Sequence, residues 1–565
     1  MARRFFHRFA GSGAGWPVPP LDSSVALEHR VPKRVLGDPF VAKSNRTHRQ
    51  NASSKDRMPL ARSVEPVAVI PPSPGLNLSI AGHTLSVADV AMMLSVVAWL
   101  VFIIVVARRS DLIASDDAFI SFQYARNLGL GHGLVFNPGE RVWGFTSPLQ
   151  TLVLGVLTAC GLETIRTAFL TAFLWVAIGA VLLYRLSFQF LSRMAALLLA
   201  LFYLLDRAQH GSYGLESNLL IATQLSFLLA STAKKGALAN VFAALSCLVR
   251  PDSLLLVGPI LLLGSETRRP RNLAWFIGLG LLWECFAVLY YGEFVPNSYH
   301  AKIGLTRFGP FLKGALESVT GLTFSERLGF APQPSLIQRL IVFVLSLSPI
   351  LNRGIRRRPV ILYALVLYPL VLVAAYSAIG SYPGHNWEFH SARFFLRISA
   401  VVGFLSLCTI VAEKWNLPVI VRRLMALAAL VFVLTNGVFQ TEALATSLTT
   451  KNTSYWGGAR NTTYRSIANW VNRNAPAGAT VAISEVGTFA YYSNTHVIDV
   501  SGIVTRGYNP SERMNHGKFM LRFAPSYAVV YGDQREMVLS PTLRYERVVY
   551  FPKQGFSDFS LLTKR

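Results

Sequence analysis

Two adjacent carboxylates are the side chains in this sequence best suited to chemistry. Asp116 and Asp117 follow shortly after the first long apolar run, at about 88–107, and precede the segment AFISFQYARNLG. Carboxylates beside hydrocarbon are costly and are usually kept there for function. Removal from water raises the pKa of a carboxyl group, which then suits a general base. Alternatively, Ser115, Asp116 or Asp117 caps the helix that follows. The local sequence leaves both interpretations open.

Further charged side chains interrupt the later apolar runs. Glu216 stands at the start of a run in the motif GLES, where it either caps a helix or faces a cavity. Arg250 and Asp252 separate two apolar runs in the motif RPDS. This pair either lines a cavity or forms an ion pair of its own.

Two polar loops carry the remaining candidates. The first, YYGEFVPNSYHAK at 290–302, contains Tyr291, Glu293, Asn297 and Lys302. Aromatic side chains are common at a membrane surface, so the tyrosines alone say little, whereas Lys302 is a candidate phosphate partner.

The second loop, GSYPGHNWEFHSARFF at 380–395, packs several polar side chains closely: His385, Trp387, Glu388, His390 and Arg393. Arg393 at the start of a helix could clamp a phosphate. The histidines and the glutamate could hold a divalent cation, although their spacing is a weak metal signal. The sequence therefore fixes no cofactor and leaves a divalent cation open.

The composition indicates a polytopic membrane protein. The chain has 565 residues, of which 52% are hydrophobic and only 15% are charged, whereas soluble domains carry about 25% charge. The net charge of +25 would suit nucleic acid. Most basic residues, however, lie in the N-terminal tail and in short loops, as expected for cytoplasmic segments of a membrane protein. We therefore expect no nucleic-acid partner.

Three regions follow from the pattern of hydropathy. Residues 1–85 read as a disordered basic cytoplasmic tail. Residues 86–439 read as a transmembrane domain of about 11 helices, and 149–162 as a re-entrant helix too short to cross. The predicted spans are about 88–107, 167–184, 194–206, 214–231, 236–249, 253–264, 273–291, 336–352, 359–379, 393–413 and 424–438.

This threading, with the tail inside, gathers the basic clusters of the short loops in the cytoplasm, apart from Arg108 and Arg109. It places residues 440–565 outside, as a small α/β domain. There, YRSIANWVNRNAP predicts a helix, and GATVAISEVG, THVIDVSGIV, SYAVVYG and RYERVVYF predict strands.

Several blocks together resemble a known family. They are DDAFISFQYARNLGLGHGLVFNPGERVWGFTSPLQ at 116–150, GLES, RPDS, YYGEFVPNSYHAK and, near the end, NAPAGATVAISEVG and VIDVSGIVT. The combination resembles the GT-C superfamily of membrane glycosyltransferases. Within that superfamily, it is most similar to the terminal β-(1→2)-arabinofuranosyltransferase group of mycobacterial cell walls and its bacterial relatives.

The resemblance implies a function and roles for the candidates. A polyprenyl-phosphate sugar donor and a glycan, glycolipid or protein acceptor would meet at the outer face of a bacterial inner membrane. Asp116 or Asp117 would deprotonate the acceptor, with Glu216 and Glu293 as supporting acids. The residues expected to bind the donor phosphate are Arg250, Lys302 and Arg393. Those expected to contact substrate are Glu293, Asn297, Tyr291, Trp387 and His385.

Two other classes of protein fit a polytopic chain. A transporter or flippase would also have about eleven spans, but its polar residues usually lie at the bilayer midplane, often on repeated units. Here most acidic candidates fall at one face, and no repeat is evident. A membrane scaffold with an outer binding domain would not require paired acids in its first loop. The sequence therefore favours inverting transfer of a sugar, and the resemblance makes arabinofuranose the leading candidate for that sugar.

Overall fold

A computed structural model describes residues 77–80, 83–109, 112, 114–206, 213–302, 336–379, 388–418, 420–421, 424, 458–507, 516–531, 544–552 and 558–564. A short antiparallel hairpin, β1 (Asn77–Ile80) and β2 (His83–Ser86), leads into the first helix. The helices before the C-terminal sheet are α1 (Val87–Arg109), α2 (Asp116–Gly129), α3 (Pro148–Ala159), α4 (Thr164–Ser187), α5 (Arg193–Leu204), α6 (Ser217–Thr232), α7 (Gly236–Val249), α8 (Leu254–Leu263), α9 (Pro270–Tyr291), α10 (Asn297–Lys302), α11 (Leu336–Leu347), α12 (Pro359–Ile379) and α13 (His390–Lys414).

Five helices of the described residues are long and apolar enough to cross a membrane: α1, α4, α9, α12 and α13. They coincide with five of the predicted spans. Other predicted spans form shorter helices, such as α7 with 14 residues and α8 with 10. A 14-residue helix rises about 21 Å, less than the ~30 Å of hydrocarbon in a bilayer. The span predicted at 424–438 lies outside the described residues, so the total of eleven stays a prediction.

The helices pack against sequence neighbours and next-but-one neighbours, and most of their buried side chains belong to one large apolar cluster. α4 contacts both α5 and α6, α6 contacts α7, and α7 contacts α9. Buried aromatic rings fill the interior, among them Phe169, Phe173 and Tyr203. α3 has 12 residues and packs against α2, and its length agrees with the expectation that 149–162 is too short to span.

A mixed sheet follows the helices. Its strands are β3 (Thr480–Ile483), β4 (His496–Asp499), β5 (Tyr527–Tyr531), β6 (Tyr545–Phe551) and β7 (Phe559–Lys564), in the order β4-β3-β5-β7-β6. Helices α14 (Gly458–Asn474), α15 (Gly487–Tyr492) and α16 (His516–Phe523) accompany them. The four predicted strands and the predicted helix are all present, and β7 was not predicted.

The connections of this sheet create a topological switch point. β3 pairs in parallel with β4 on one side and with β5 on the other. The chain leaves β3 through α15 to reach β4, and returns through α16 to β5. In such sheets the crevice at the carboxyl end of the central strand is the usual ligand position. α15, which begins there, packs against α2, the helix that starts with the acid pair.

Candidate active site

The candidate site forms where α2 begins against the β3–α15 turn. Both carboxylate oxygens of Asp116 are engaged there. Oδ1 accepts a hydrogen bond from the amide of Thr488 at 2.7 Å, and Oδ2 accepts one from the amide of Gly487 at 3.1 Å. Asp116 therefore satisfies the first free amides of α15, not those of its own helix. No side chain caps α2, since Ser115 at its N-cap makes no capping hydrogen bond.

Backbone packing fixes this contact closely. A methyl group added to Gly487 would lie only 1.9 Å from the carbonyl oxygen of Asp116. Nearby, the buried side chain of Asn461 on α14 donates to the carbonyl oxygen of Ala114 at 2.6 Å. The first turn of α2 and the residues before it are thus held from two helices of the C-terminal layer, which we define as the β3–β7 sheet with α14–α16.

A charged pair of the C-terminal layer lies beside Asp116. Arg460 on α14 forms an ion pair with Glu485 in the β3–α15 turn. The hydroxyl of Tyr464 also donates to Glu485, at 3.3 Å. The sequence analysis named none of these three residues, since it interpreted SEVG only as the end of a strand and the segment from Tyr464 only as a helix.

The environment raises the pKa of Asp116 to about 7. Burial is the largest cause, the negative charge of Glu485 is the next, and that of Asp117 adds to it, while the amide of Thr488 acts in the opposite direction. A carboxyl group with a pKa near 7 suits a general base at neutral pH. Asp117 is half-buried, and no hydrogen bond or ion pair joins its side chain to the described residues.

A second charged cluster surrounds Arg250. Its guanidinium donates to Glu216 at 2.7 Å, to Asp252 at 3.0–3.2 Å and to the hydroxyl of Tyr376 at 2.7 Å. Tyr376 in turn donates to Asp252 at 2.6 Å. Glu216 therefore forms a buried ion pair with Arg250 and makes no side-chain cap on α6. The pairing of Arg250 with Asp252, one of the two sequence alternatives, is present.

Packing brings the Glu216 segment against the start of α2. Gly214, two residues before Glu216, has a positive φ of 86°. A methyl group there would come within 3.0 Å of the Ala118 side chain and 3.3 Å of that of Ala114. The loop that carries Glu216 thus contacts the helix that carries the acid pair.

The start of α13 contributes further polar groups. Glu388 and His390 are buried, and the charges of Arg250, Arg393 and Arg397 all act on His390. Arg250 and Arg393, two of the predicted phosphate partners, therefore share a buried neighbour. Arg397 forms a buried ion pair with Asp206 at 2.7 Å.

The loop after α9 has structural contacts as well as exposed candidates. The Tyr291 hydroxyl donates to the carbonyl oxygen of Leu134 at 2.8 Å, and its ring stacks on Trp143. The backbone amide of Asn297 donates to the Trp143 carbonyl oxygen at 2.8 Å. This hydrogen bond joins the segment after α9 to the loop between α2 and α3. Glu293 is exposed. His385, Trp387 and the Lys302 side chain lie outside the described residues.

The described residues contain no group of three or more His, Cys, Asp or Glu side chains arranged to hold a metal ion. What they do assemble is an acid with a pKa near 7 on α2, beside a loop that leads to a buried Arg250 cluster.

The fold of this chain is similar to that of solved structures of ArnT from Cupriavidus metallidurans. The structure of ArnT from Cupriavidus metallidurans in the apo state superposes with a TM-score of 0.54 at 14% identity, covering 84% of this chain and 98% of ArnT. ArnT bound to undecaprenyl phosphate gives a TM-score of 0.50 with the same identity and coverage. Similarity at this identity establishes the fold, and the predicted resemblance to the GT-C superfamily is confirmed at that level.

Part of the chain is similar in sequence to a curated protein. The terminal β-(1→2)-arabinofuranosyltransferase of Mycobacterium tuberculosis is 33% identical over 219 residues, which are 33% of this chain and 34% of that protein. The match spans about a third of the length of this curated relative. Residues 453–562, most of the C-terminal layer, match a family described as a domain of unknown function, DUF8728. The predicted resemblance to the terminal arabinofuranosyltransferase group is thereby confirmed.

Proposed function

We propose that this chain is an inverting glycosyltransferase that moves a sugar from a polyprenyl-phosphate donor to a glycan, glycolipid or protein acceptor. Arabinofuranose is the leading candidate for the sugar. The reaction would take place at the outer face of a bacterial inner membrane, the side on which the basic-loop pattern places the acid pair. The observation that carries the proposal is the Asp116 carboxylate, held at the start of α2 by the amides of Gly487 and Thr488 in a fold similar to that of ArnT.

In the proposed reaction Asp116 is the general base. It accepts the proton of the acceptor hydroxyl as that oxygen forms a bond to the anomeric carbon of the sugar. The bond from the anomeric carbon to the donor phosphate breaks, and its electron pair leaves with the phosphate oxygen. Attack from the side opposite the phosphate inverts the configuration. Burial and the charge of Glu485 raise the pKa of Asp116, and a carboxylate with a raised pKa takes up a proton more readily than an ordinary one.

Cations are needed where negative charge grows on the departing phosphate. We assign this role to Arg393 and Lys302. Arg250, the third candidate, has a different role in this proposal. It is a positioning residue, because its guanidinium already donates to Glu216, Asp252 and Tyr376. Glu216 would hold Arg250 in place, since breaking a buried ion pair leaves an uncompensated charge.

The remaining candidates would line the substrate path. Glu293 and Asn297 lie on the loop after α9, beside the aromatic cluster of Tyr291 and Trp143. Aromatic faces bordered by polar side chains suit a sugar, which has apolar faces and polar edges. His385 and Trp387 keep the substrate-binding role that the resemblance implies.

The donor is tested with purified protein and defined lipids. Polyprenyl-phosphate arabinose should support sugar transfer to an envelope acceptor extract, whereas the matching hexose donors should support little. Transfer from the hexose donors alone would keep the reaction class and replace the sugar. Movement of lipid-linked sugar across vesicles without any transfer would instead identify a flippase and overturn the proposal.

A further inference from the structure

The Arg460–Glu485 ion pair has no part in the chemistry proposed above. It belongs to the C-terminal layer, yet it lies beside the start of α2. Glu485 precedes by two residues the Gly487 amide that donates to Asp116. Arg460 precedes Asn461, whose side chain donates to the carbonyl oxygen of Ala114. Each member of the pair thus lies within two residues of a group that donates a hydrogen bond to the segment carrying the acid pair.

The sheet topology explains why a charge at this position matters. Glu485 lies at the carboxyl end of β3, the central strand of the switch point. In sheets of this topology the amides that begin the next helix usually receive an anion of a ligand. Here the anion is the Asp116 carboxylate itself, bound by the amides of Gly487 and Thr488. Glu485 lies in the same turn as these two amides, and its negative charge acts on Asp116.

We propose that Glu485 and Arg460 are positioning residues for the candidate base, and that the C-terminal layer sets the protonation of Asp116 through their opposed charges. The inference rests on the proposed function, in which Asp116 takes the acceptor proton. Arg460 forms an ion pair with Glu485, and its own charge also interacts with Asp116. The negative member of the pair favours the protonated form of Asp116, and the positive member favours the carboxylate.

The sign of each change follows from the charges that face Asp116. These are Asp117 on its own helix, Glu485 in the β3–α15 turn, and Arg460 with the neutral Tyr464 on α14. Glu485→Gln removes a negative charge and leaves Arg460 to stabilise the Asp116 carboxylate, so the pKa of Asp116 falls. Arg460→Gln leaves Glu485 uncompensated, so the pKa of Asp116 rises.

The experiment measures the acidic limb of kcat/KM against pH in the full-length protein. In the native protein the limb should lie near pH 7, the pKa of Asp116. Glu485→Gln should move it down and Arg460→Gln should move it up, each by roughly one pH unit. Arg460→Lys, which keeps the charge, should restore most of the native profile. Damage to the fold would lower the rate at every pH without moving the limb in opposite directions.

A second readout separates this inference from the proposed function. Carbodiimide labels protonated carboxyl groups, and mass spectrometry can follow the labelling of Asp116 against pH whether or not transfer occurs. The control is Glu546→Gln, the same change on an exposed β6 residue three strands from β3, at least about 14 Å away. It should leave both curves unchanged.

Opposite shifts of the labelling curve would support the positioning role even in a protein that transfers no sugar. In that case the proposed function fails, and only the control of Asp116 protonation by the ion pair stands. Labelling and rate curves that stay at the native pH in both folded variants would overturn the inference, and transfer activity in those variants would leave the proposed function intact.

Discussion

At the residue scale, the two members of the acid pair have different surroundings: the Asp116 carboxylate accepts hydrogen bonds from two amides of the C-terminal layer, whereas Asp117 is half-buried. Two carboxylates next to an apolar run are visible in the local sequence. What distinguishes them is the pair of amides that bind Asp116, and these lie 371 and 372 residues further along the chain. Glu485 was missed for the same reason, because nothing in the segment SEVG indicates that it contacts the start of α2. By contrast, the pairing of Arg250 with Asp252 spans two residues and was one of the two alternatives.

Gly487 gives a prediction at this scale. Gly487→Ala places a methyl group 1.9 Å from the carbonyl oxygen of Asp116, so α15 and the start of α2 must move apart. Overpacking of this kind lowers the free energy of unfolding by about 1–3 kcal/mol. We expect a lower Tm in detergent and a loss of turnover per folded molecule, since the base shifts with the backbone.

The control for this change is Gly278→Ala on α9, where an added methyl group meets no atom within 4 Å. Alanine also favours a helix more than glycine does, so this variant should keep the native Tm or exceed it. A Gly487→Ala protein with native Tm and turnover would show that the close contact with Asp116 is dispensable.

At the scale of elements, periodicity predicted most of what the structure contains. Five predicted spans are long apolar helices, and four strands of the C-terminal sheet lie where short β-branched and aromatic runs placed them. The missed strand, β7, is the segment FSLLTK. Its first four residues are buried on both faces between β5 and β6, so it lacks the alternation that marks a half-exposed strand.

Short apolar helices set the limit of that reasoning. α5, α7 and α8 have the composition of spans but only 12, 14 and 10 residues. Hydropathy alone cannot separate a short span from a helix that enters the membrane partway, because both are apolar throughout. Whether a short helix crosses the membrane depends on the helices that pack against it, and the local sequence does not show those contacts.

At the scale of the whole molecule, the account requires the acid pair and the C-terminal layer to share one side of the membrane. Asp116 binds the amides of Gly487 and Thr488 directly, so the two regions are in contact. The pattern of basic loops predicts that both regions lie outside. Reporter fusions after residues 235 and 355 should therefore report the cytoplasm, and a fusion after residue 450 should report the outer side. A cytoplasmic signal at 450 would contradict the threading.

The central claim is that Asp116 takes the acceptor proton. Its most direct test is turnover with a polyprenyl-phosphate sugar donor in the Asp116→Asn protein, alongside Asp117→Asn as the matched change one residue away. Asparagine keeps the shape and still accepts an amide hydrogen bond, but it cannot act as a base. We predict that Asp116→Asn lowers turnover by roughly 100- to 10,000-fold while the protein stays folded and binds the donor lipid, and that Asp117→Asn has a much smaller effect. Full turnover in folded Asp116→Asn would contradict the account.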